Sequence, residues 1–209
     1  MSEKMSVHRG LAELKLLDSR IDKAIGEGVY CKHNKRSNTK INGMTIKEYE
    51  DKVIRASVDK VNSLIERRGK IKSAIVKSNA ITEIEVAGIK MPVAVAIDRK
   101  NSIEHERQYL YELKHQYSRT INTIEKNNST LTNRADEQIN LLYSNKDNVD
   151  PNKIKILRDD YIEENTFDLI DPVGIKGLLD KLEKDIEDFE TEIDFKLSES
   201  NALTMIEIE

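Results

Sequence analysis

The apolar positions near the start of the chain recur at helical spacing. Five of them lie three or four residues apart, at Leu11, Leu14, Leu17, Ile21 and Ile25. This spacing places them on one face of an α-helix, so we predict a first helix over about 8–25. Gly26 and Gly28 follow it, and glycine commonly ends helices.

A second helix is predicted to begin at Thr45, because Thr45 and Glu48 have the spacing of a capping box. Its apolar stripe consists of Ile46, Tyr49, Val53, Val61, Leu64, Ile71 and Ile75. The stripe carries this helix to about Asn79. Residues 81–91 then alternate between β-branched and polar side chains around a glycine-containing turn, which predicts a short β-hairpin.

The third predicted helix has apolar residues at every seventh position. They are Ala96, Ile103, Leu110, Tyr117, Ile124 and Leu131. A strict seven-residue repeat is typical of a coiled coil. The pattern predicts one helix from Pro92 to Tyr143, longer than the other helices. Because a single chain can hardly cover so long a stripe, we predict a homo-oligomer.

Residues 144–172 are predicted to be a connector that contains one short helix. Asp150 and Pro151 are the residue types preferred at an N-cap and at the first helical position. The short helix is expected to end near Asn165.

The last helix is predicted to start at Asp171-Pro172, where the same two residue types recur. It carries the most regular apolar stripe of the chain, formed by Ile175, Leu179, Leu182, Ile186, Phe189, Ile193 and Leu197. Alternating residues follow the helix, and they predict a strand over 203–208.

An internal repeat links the two predicted β regions. Residues 78–85 and 200–207 match at an offset of 122, with six of eight positions identical. We predict that both segments are equivalent helix-to-strand junctions. A two-stranded hairpin is marginally stable alone, so strand 203–208 is expected to join hairpin 81–91 as its third strand.

Charge is distributed unevenly between two of the predicted helices. Residues 55–77 hold seven basic and two acidic side chains, whereas residues 180–199 hold nine acidic and three basic ones. Attraction between opposite charges predicts that these two helices are neighbours, unless both faces are simply solvated.

These elements together predict a mainly α fold of long antiparallel helices with coiled-coil character. A small β element, from hairpin 81–91 and strand 203–208, completes it. We predict a single elongated domain over 1–209. Residues 26–44 lack helical periodicity and are polar and basic, so they form either a flexible loop or a β-hairpin arm.

Composition limits the classes of function. The 209 residues are 34% charged and 5% aromatic, with a net charge of −4, so bulk nucleic-acid binding is not expected. The single Cys31 indicates a reducing compartment. No apolar run is long enough to span a membrane, and the first residues have no apolar signal segment. We therefore expect a cytoplasmic protein.

Residues that could carry catalysis or bind a metal are scarce. The four histidines, His8, His33, His105 and His115, lack neighbours that would form a triad. Cys31 and His33 supply one pair of possible zinc ligands without a second pair. No phosphate loop or nucleophile elbow is present. We predict no catalytic residues, no metal site and no cofactor.

A basic cluster is the best candidate for ligand binding. Tyr30, Lys35 and Arg36 lie in the 26–44 loop, and three arginines follow on later helices, at Arg67, Arg68 and Arg99. Guanidinium groups pair well with phosphate oxygens, so a phosphorylated or nucleotide-like molecule could be held where these residues meet. The alternative is ordinary surface charge.

The order of these pieces resembles the septicolysin-like family of bacterial and phage helical proteins. The resemblance rests on 11–21, on 75–103 (SNAIT, a turn, then AVAIDRKNSI) and on the Ser-Asn-Ala-Leu-Thr segment at 200–204. The family has no assigned molecular function. The resemblance implies a helical protein encoded by a bacterium or phage, and the Lys, Asn, Ile and Glu-rich composition favours a phage protein in the host cytoplasm.

Two functions follow from the sequence. The first is a non-enzymatic, self-associating scaffold or interaction protein. The alternative is an anti-defence-type protein that sequesters a phosphorylated or nucleotide small molecule between subunits. The 26–44 loop separates them, because only the second function requires Tyr30 and Arg36 to converge with Arg67 or Arg99.

Overall fold

The structure, a computed structural model, describes residues 3–143 and 150–208 and is mainly α-helical with short antiparallel strand pairs. The elements in chain order are β1 (Glu3–Ser6), α1 (Val7–Glu27), β2 (Lys40–Ile41), β3 (Met44–Thr45), α2 (Ile46–Tyr49), a π-helical segment (Glu50–Arg55), α3 (Ala56–Ile81), β4 (Glu83–Val86), β5 (Ile89–Pro92), α4 (Val93–Ser129), α5 (Leu131–Leu142), α6 (Pro151–Asn165), α7 (Ile175–Leu203) and β6 (Met205–Ile208). The predicted fold class is confirmed.

The chain divides into two compact units, which we describe separately. The first comprises Met1–Asn101 with Asp188–Glu209, and the second comprises Ser102–Glu187. The boundaries fall inside α4 and α7. The polar part of the predicted connector, 144–149, lies outside the described residues, whereas its short helix is confirmed as α6 with Asp150 as N-cap.

The main core of the first unit lies between α1, α3 and the strand pair formed by β1 and β6. Its buried side chains are Met5, Val7, Leu14, Leu17, Ile71, Ile75, Ile206 and Ile208. Because apolar residues in α1 and α3 recur at helical spacing and those in β6 recur at every second position, all three elements turn their apolar side chains to one interior.

The helix starts follow the predicted capping chemistry. The Ser6 hydroxyl accepts a hydrogen bond from the Arg9 amide at 3.2 Å and caps α1. Thr45 and Glu48 form the predicted capping box, since each side chain accepts from the other residue's amide. The hydrogen bond from the Thr45 backbone amide lowers the pKa of Glu48.

Two hairpin turns place residues in the left-handed region. Ala87 and Gly88 have φ values of 51° and 73° between β4 and β5, and Asn42 and Gly43 have 48° and 82° between β2 and β3. Two consecutive positive φ values define the turn whose twist matches that of antiparallel strands. The 26–44 segment thus ends in a short β-hairpin, while residues 28–35 have no regular structure.

The predicted equivalence of the two Ser-Asn-Ala segments is confirmed. The Thr82 amide donates to the Ser78 carbonyl and the Thr204 amide to the Ser200 carbonyl, both at 2.9 Å. The chain then passes through one residue into β4 or β6. Each threonine carbonyl also accepts from the first residue of another helix, Val93 at 2.8 Å for Thr82 and Val7 at 2.9 Å for Thr204.

The prediction that strand 203–208 joins the hairpin is wrong. β6 pairs with β1, with Met5 opposite Ile206, and β4 pairs with β5, with Met91 opposite Ile84. The physical reason is that β1 supplies its own buried Met5, which covers the same core as β6. The partner strands are also similar in sequence, because Lys-Met-x-Val occurs at both 4–7 and 90–93. The repeat thus includes β1 and β5 as well as the two Ser-Asn-Ala segments.

The start of the last predicted helix also differs. Pro172 lies in a turn, Gly174 has a φ of 66°, and α7 begins only at Ile175. Asp171 still acts as a cap, because its carboxylate accepts from the Ile175 amide at 2.8 Å.

The long third helix is not continuous to Tyr143. The helix breaks at Thr130, between α4 and α5. The Thr130 hydroxyl donates to the Asn127 carbonyl at 3.0 Å, a local bond that competes with helical pairing.

A close approach of three elements makes Gly10 a sensitive position. A Cβ atom there would lie 3.1 Å from Ile206 Cδ1 and 3.2 Å from Ile75 Cδ1, whereas a Cβ at Gly69 would meet no atom within 4 Å. We expect Gly10→Leu to lower the free energy of unfolding by about 1–3 kcal/mol through overpacking. The measurement is urea unfolding.

Gly69→Leu in α3 is the matched control. Leucine at this exposed position is expected to raise the free energy of unfolding by about 0.5–1 kcal/mol, because it favours the helix over glycine. Equal effects of the two substitutions would contradict the close packing at Gly10.

Candidate functional site

Arg67 lies on α3 and is held by two carboxylates. Its Nε donates to Glu13 Oε1 at 2.9 Å and its Nη2 lies 2.7 Å from Glu3 Oε2. The arginine thus joins α3 to α1 and to β1. The hydrogen bond to Glu13, followed by that to Glu3, raises the pKa of Arg67, although burial opposes this shift. Its charge is therefore already paired within the chain.

Arg68 is paired in the same way. Its Nε donates to Asp18 on α1, and this hydrogen bond raises the pKa of Arg68. Both ion pairs join α3 to α1. The expectation that the basic helix pairs with the acidic last helix is therefore wrong for these two arginines, since their partners lie on the first helix.

Arg99 has an aromatic partner. Its guanidinium carbon lies 4.3 Å from the centre of the Phe189 ring, so the cation rests against the face of a buried phenyl group. The acidic last helix instead takes its ion pairs from α4, through Lys100 with Asp194 and, in the second unit, Lys114 with Glu183 at 2.6 Å.

The basic loop is fastened to the ends of two helices. The Tyr30 hydroxyl donates to the carbonyls of Ala24 and Ile25 at 3.3 and 3.1 Å, near the end of α1. The Val29 amide donates to Ser57 Oγ at 3.2 Å, near the start of α3. Beyond this anchor, Lys35 and Arg36 are exposed.

The contacts described here do not bring the predicted binding residues to one place. From Ser57, which anchors the loop, Arg67 is about 15 Å away along α3 at the rise of an α-helix. Arg67 and Arg68 contact α1, whereas Arg99 contacts α7. A shared ligand at Tyr30, Lys35, Arg36 and these arginines remains a prediction.

The repeat explains why the arginines have such different partners. Phe189 is the equivalent of Arg67 at the offset of 122. Arg99 is the equivalent of Glu13 when the two Lys-Met-x-Val segments are aligned. One copy of the repeat therefore joins its helices by an arginine that contacts carboxylates, and the other copy of the repeat by an arginine that contacts a phenyl ring. Sequence reasoning missed Glu13 and Phe189, although the Lys-Met-x-Val match aligns Glu13 with Arg99 and the offset of 122 aligns Phe189 with Arg67.

The seven-residue stripe of α4 is only partly covered. Val93 and Ala96 are the only buried residues of this helix. In the second unit the half-buried members of this series are Ile103, Leu110, Tyr117 and Ile124, and half-buried Ile121 lies one turn before Ile124. We call these five residues the α4 stripe. The spacing of these apolar residues is typical of a buried helix face, but within this chain the face stays partly exposed to water.

The described part of the chain was compared with the requirements of a metal site and of a membrane-spanning helix. Within 3–143 and 150–208, no three His, Cys, Asp or Glu side chains are grouped so that they could hold a metal ion. Cys31 is exposed. None of the described helices has a stretch long and apolar enough to cross a membrane.

Comparison with known proteins gives no relative. No protein-family model, no curated protein and no solved structure matches this chain. The resemblance to the septicolysin-like family therefore stays a prediction, and function has to be argued from the structure.

The Arg67–Glu13 pair is expected to contribute more to stability than the Arg68–Asp18 pair. The first pair has side chains 31% and 25% exposed, the second 42% and 53%, and water screens exposed charges more strongly. A double-mutant cycle with Arg67→Ala and Glu13→Ala should give a coupling free energy of about 0.5–1 kcal/mol. The measurement is urea unfolding of the four proteins.

The same cycle at Arg68 and Asp18 is the control, and we expect a smaller coupling there. Raising the salt concentration should weaken both couplings. A larger coupling at Arg68–Asp18 would contradict the assignment of Arg67 as the main link between α1 and α3.

Proposed function

We propose that this protein is a non-enzymatic scaffold or interaction protein that self-associates through the α4 stripe. The observation that carries the proposal is the incomplete cover of that stripe. A regular apolar face on a helix normally faces an interior, yet no residue of α4 beyond Ala96 is buried.

The geometry of a helix pair explains the incomplete cover. In the second unit, the Lys114–Glu183 ion pair sets α7 beside α4. Two helices in contact leave the outer edges of their apolar stripes open to water, and a further helix layer is needed to bury them. Covering the remaining half of one isoleucine side chain would contribute about 1 kcal/mol. Five such residues provide a substantial driving force for association.

The polar partner positions favour a second copy as the occupant. In the N-terminal half of the seam the partner positions are Lys100, Arg107 and Lys114, and two of them are paired with α7 of the same chain, Lys100 with Asp194 and Lys114 with Glu183. This part of the seam is therefore apolar on one side only. Polar residues at seam positions are a known means of fixing register and number of helices in coiled coils. A second copy carries the same apolar side, so its stripe can pack against this one while the lysines stay paired with α7.

The test is to place charge in the stripe. We expect the wild-type protein to scatter light as a species heavier than the 24.0 kDa chain at micromolar concentration. Ile121→Glu with Ile124→Glu should lower this mass, because the new carboxylates would have to be desolvated in the interface.

The matched control is Thr120→Glu with Thr123→Glu. These exposed positions have the same spacing and add the same charge, one residue away on the helix surface. The control should keep the wild-type mass, and circular dichroism should show equal helix content in all three proteins. A wild-type protein of monomer mass would overturn the proposal.

A further inference from the structure

The outer edge of β4 has free backbone groups. In an antiparallel pair, hydrogen-bonded residues alternate with residues whose amide and carbonyl point away. The bond from Val93 to Thr82 fixes the phase, so Glu83 and Glu85 are the outward-pointing residues. Pro92, which has no amide hydrogen, lies opposite Glu83 at such a position. Neither glutamate backbone is hydrogen-bonded to another residue within 3–143 or 150–208.

This edge borders an acidic groove. The groove runs between Thr82–Glu85 and the C-terminal end of α7, where it is lined by Lys196, Glu199, Ser200, Leu203 and Thr204. Three carboxylates and one ammonium group surround it. Leu203 adds an exposed apolar side chain. A strand that occupied the groove would gain main-chain hydrogen bonds and would need basic side chains.

The equivalent edge of β6 has a different electrostatic environment. Glu207 takes the place of Glu85 and lies 4.0 Å from the Lys4 ammonium group. Lys70 and Lys77 line the surface beside it. Met205 takes the place of Glu83, so the acidic pair is a property of β4 rather than of the repeat.

A basic segment without regular structure exists in the same chain, and a turn closed by the Asn38 amide on the Lys35 carbonyl at 3.0 Å ends it. Residues 30–36 contain Lys32, His33, Lys35 and Arg36, and residues 28–44 contain no acidic side chain. The backbone groups of 30–34 make no hydrogen bond with any part of the chain that the structure describes. The segment therefore has basic charge that complements the acidic β4 edge, and free main-chain groups that can pair with those of β4.

The segment cannot reach the β4 edge of its own chain. The loop is fastened to Ser57, and β4 follows Ile81 at the other end of α3. The distance from Ser57 to Ile81 along the helix is about 36 Å at about 1.5 Å per residue. From Val29, the chain to Arg36 extends at most about 25 Å. A pairing between these two parts must therefore join two copies.

We propose that the β4 edge of one copy binds segment 30–36 of a second copy as an added strand. This inference rests on the self-association proposed above and gives it a second contact. Strand addition to a free edge uses main-chain bonds for affinity and side chains for specificity. Here Glu83, Glu85 and Glu199 select the lysines and Arg36. The contact is head-to-tail, because the two copies use different surfaces.

The direct test is binding of a synthetic, fluorescein-labelled peptide of residues 28–38 with serine in place of Cys31. The receptor is the full chain with Lys35→Glu and Arg36→Glu, so that its own loop does not compete. We expect saturable binding by fluorescence anisotropy that weakens as salt rises. Adding Glu83→Lys and Glu85→Lys to the receptor should weaken binding by about tenfold or more, because like charges then face each other.

The chain offers a matched control on the β6 edge. Met205→Lys with Glu207→Lys changes the equivalent positions and should leave peptide binding within about twofold, since Lys70 and Lys77 already make this edge unfavourable for a basic strand. Absence of binding, or an equal loss in this control, would overturn the inference.

A charge swap in the full-length protein completes the test. Glu83→Lys with Glu85→Lys, or Lys35→Glu with Arg36→Glu, should each reduce the mass of the assembly, and the combined variant should restore it. The Ile121→Glu, Ile124→Glu protein separates the two proposals. Peptide binding to this protein tests the β4 edge whether or not the α4 stripe associates, and a wild-type assembly unchanged by all edge variants would refute the strand contact alone.

Discussion

The hydrogen bonds from Val93 to Thr82 and from Val7 to Thr204 determine how the first unit is built. Each bond ties the start of one helix to the end of another, at the point where the chain enters a strand. At the Thr204 junction this fixes β6 to the start of α1, and apolar residues of both reach the core that they share with β1 and α3. The close contact at Gly10, the ion pairs of Arg67 and the free edge of β4 all depend on these two junctions.

The local periodicity of apolar residues predicted most of the helices, but it did not predict which strands pair. The capping box at Thr45 and the N-cap at Asp150 depend on neighbours within a few residues, so sequence spacing sufficed. The partner of β6 depends on which distant segment supplies a side chain to the same core. The predicted partner, hairpin 81–91, was chosen because a two-stranded hairpin is marginally stable alone. The break at Thr130 and the π-helical segment reflect local competition for backbone bonds that apolar spacing does not register.

The candidate binding residues show the same division. The sequence predicted that the arginines lie on helices, namely Arg67, Arg68 and Arg99. It did not predict their partners, because pairing across helices depends on packing angle and register. Where one copy of the repeat has Arg67 and Glu13, the other has Phe189 and Arg99, so both keep a cation between helices, against a carboxylate in one and an aromatic ring in the other. A repeat can thus preserve its backbone junctions while its surface chemistry diverges.

The two strand pairs have similar bonds but very different separations along the chain. β4 and β5 are joined by two residues, whereas β1 and β6 enclose almost the entire sequence. The entropy of closing the larger loop costs on the order of 4 kcal/mol more, by the logarithmic dependence on length. We therefore expect the β4–β5 hairpin to close earlier in folding than the β1–β6 pair, whose ends are brought together by the packing of the helices. Two nearly identical structures in one protein would then form at different stages of folding.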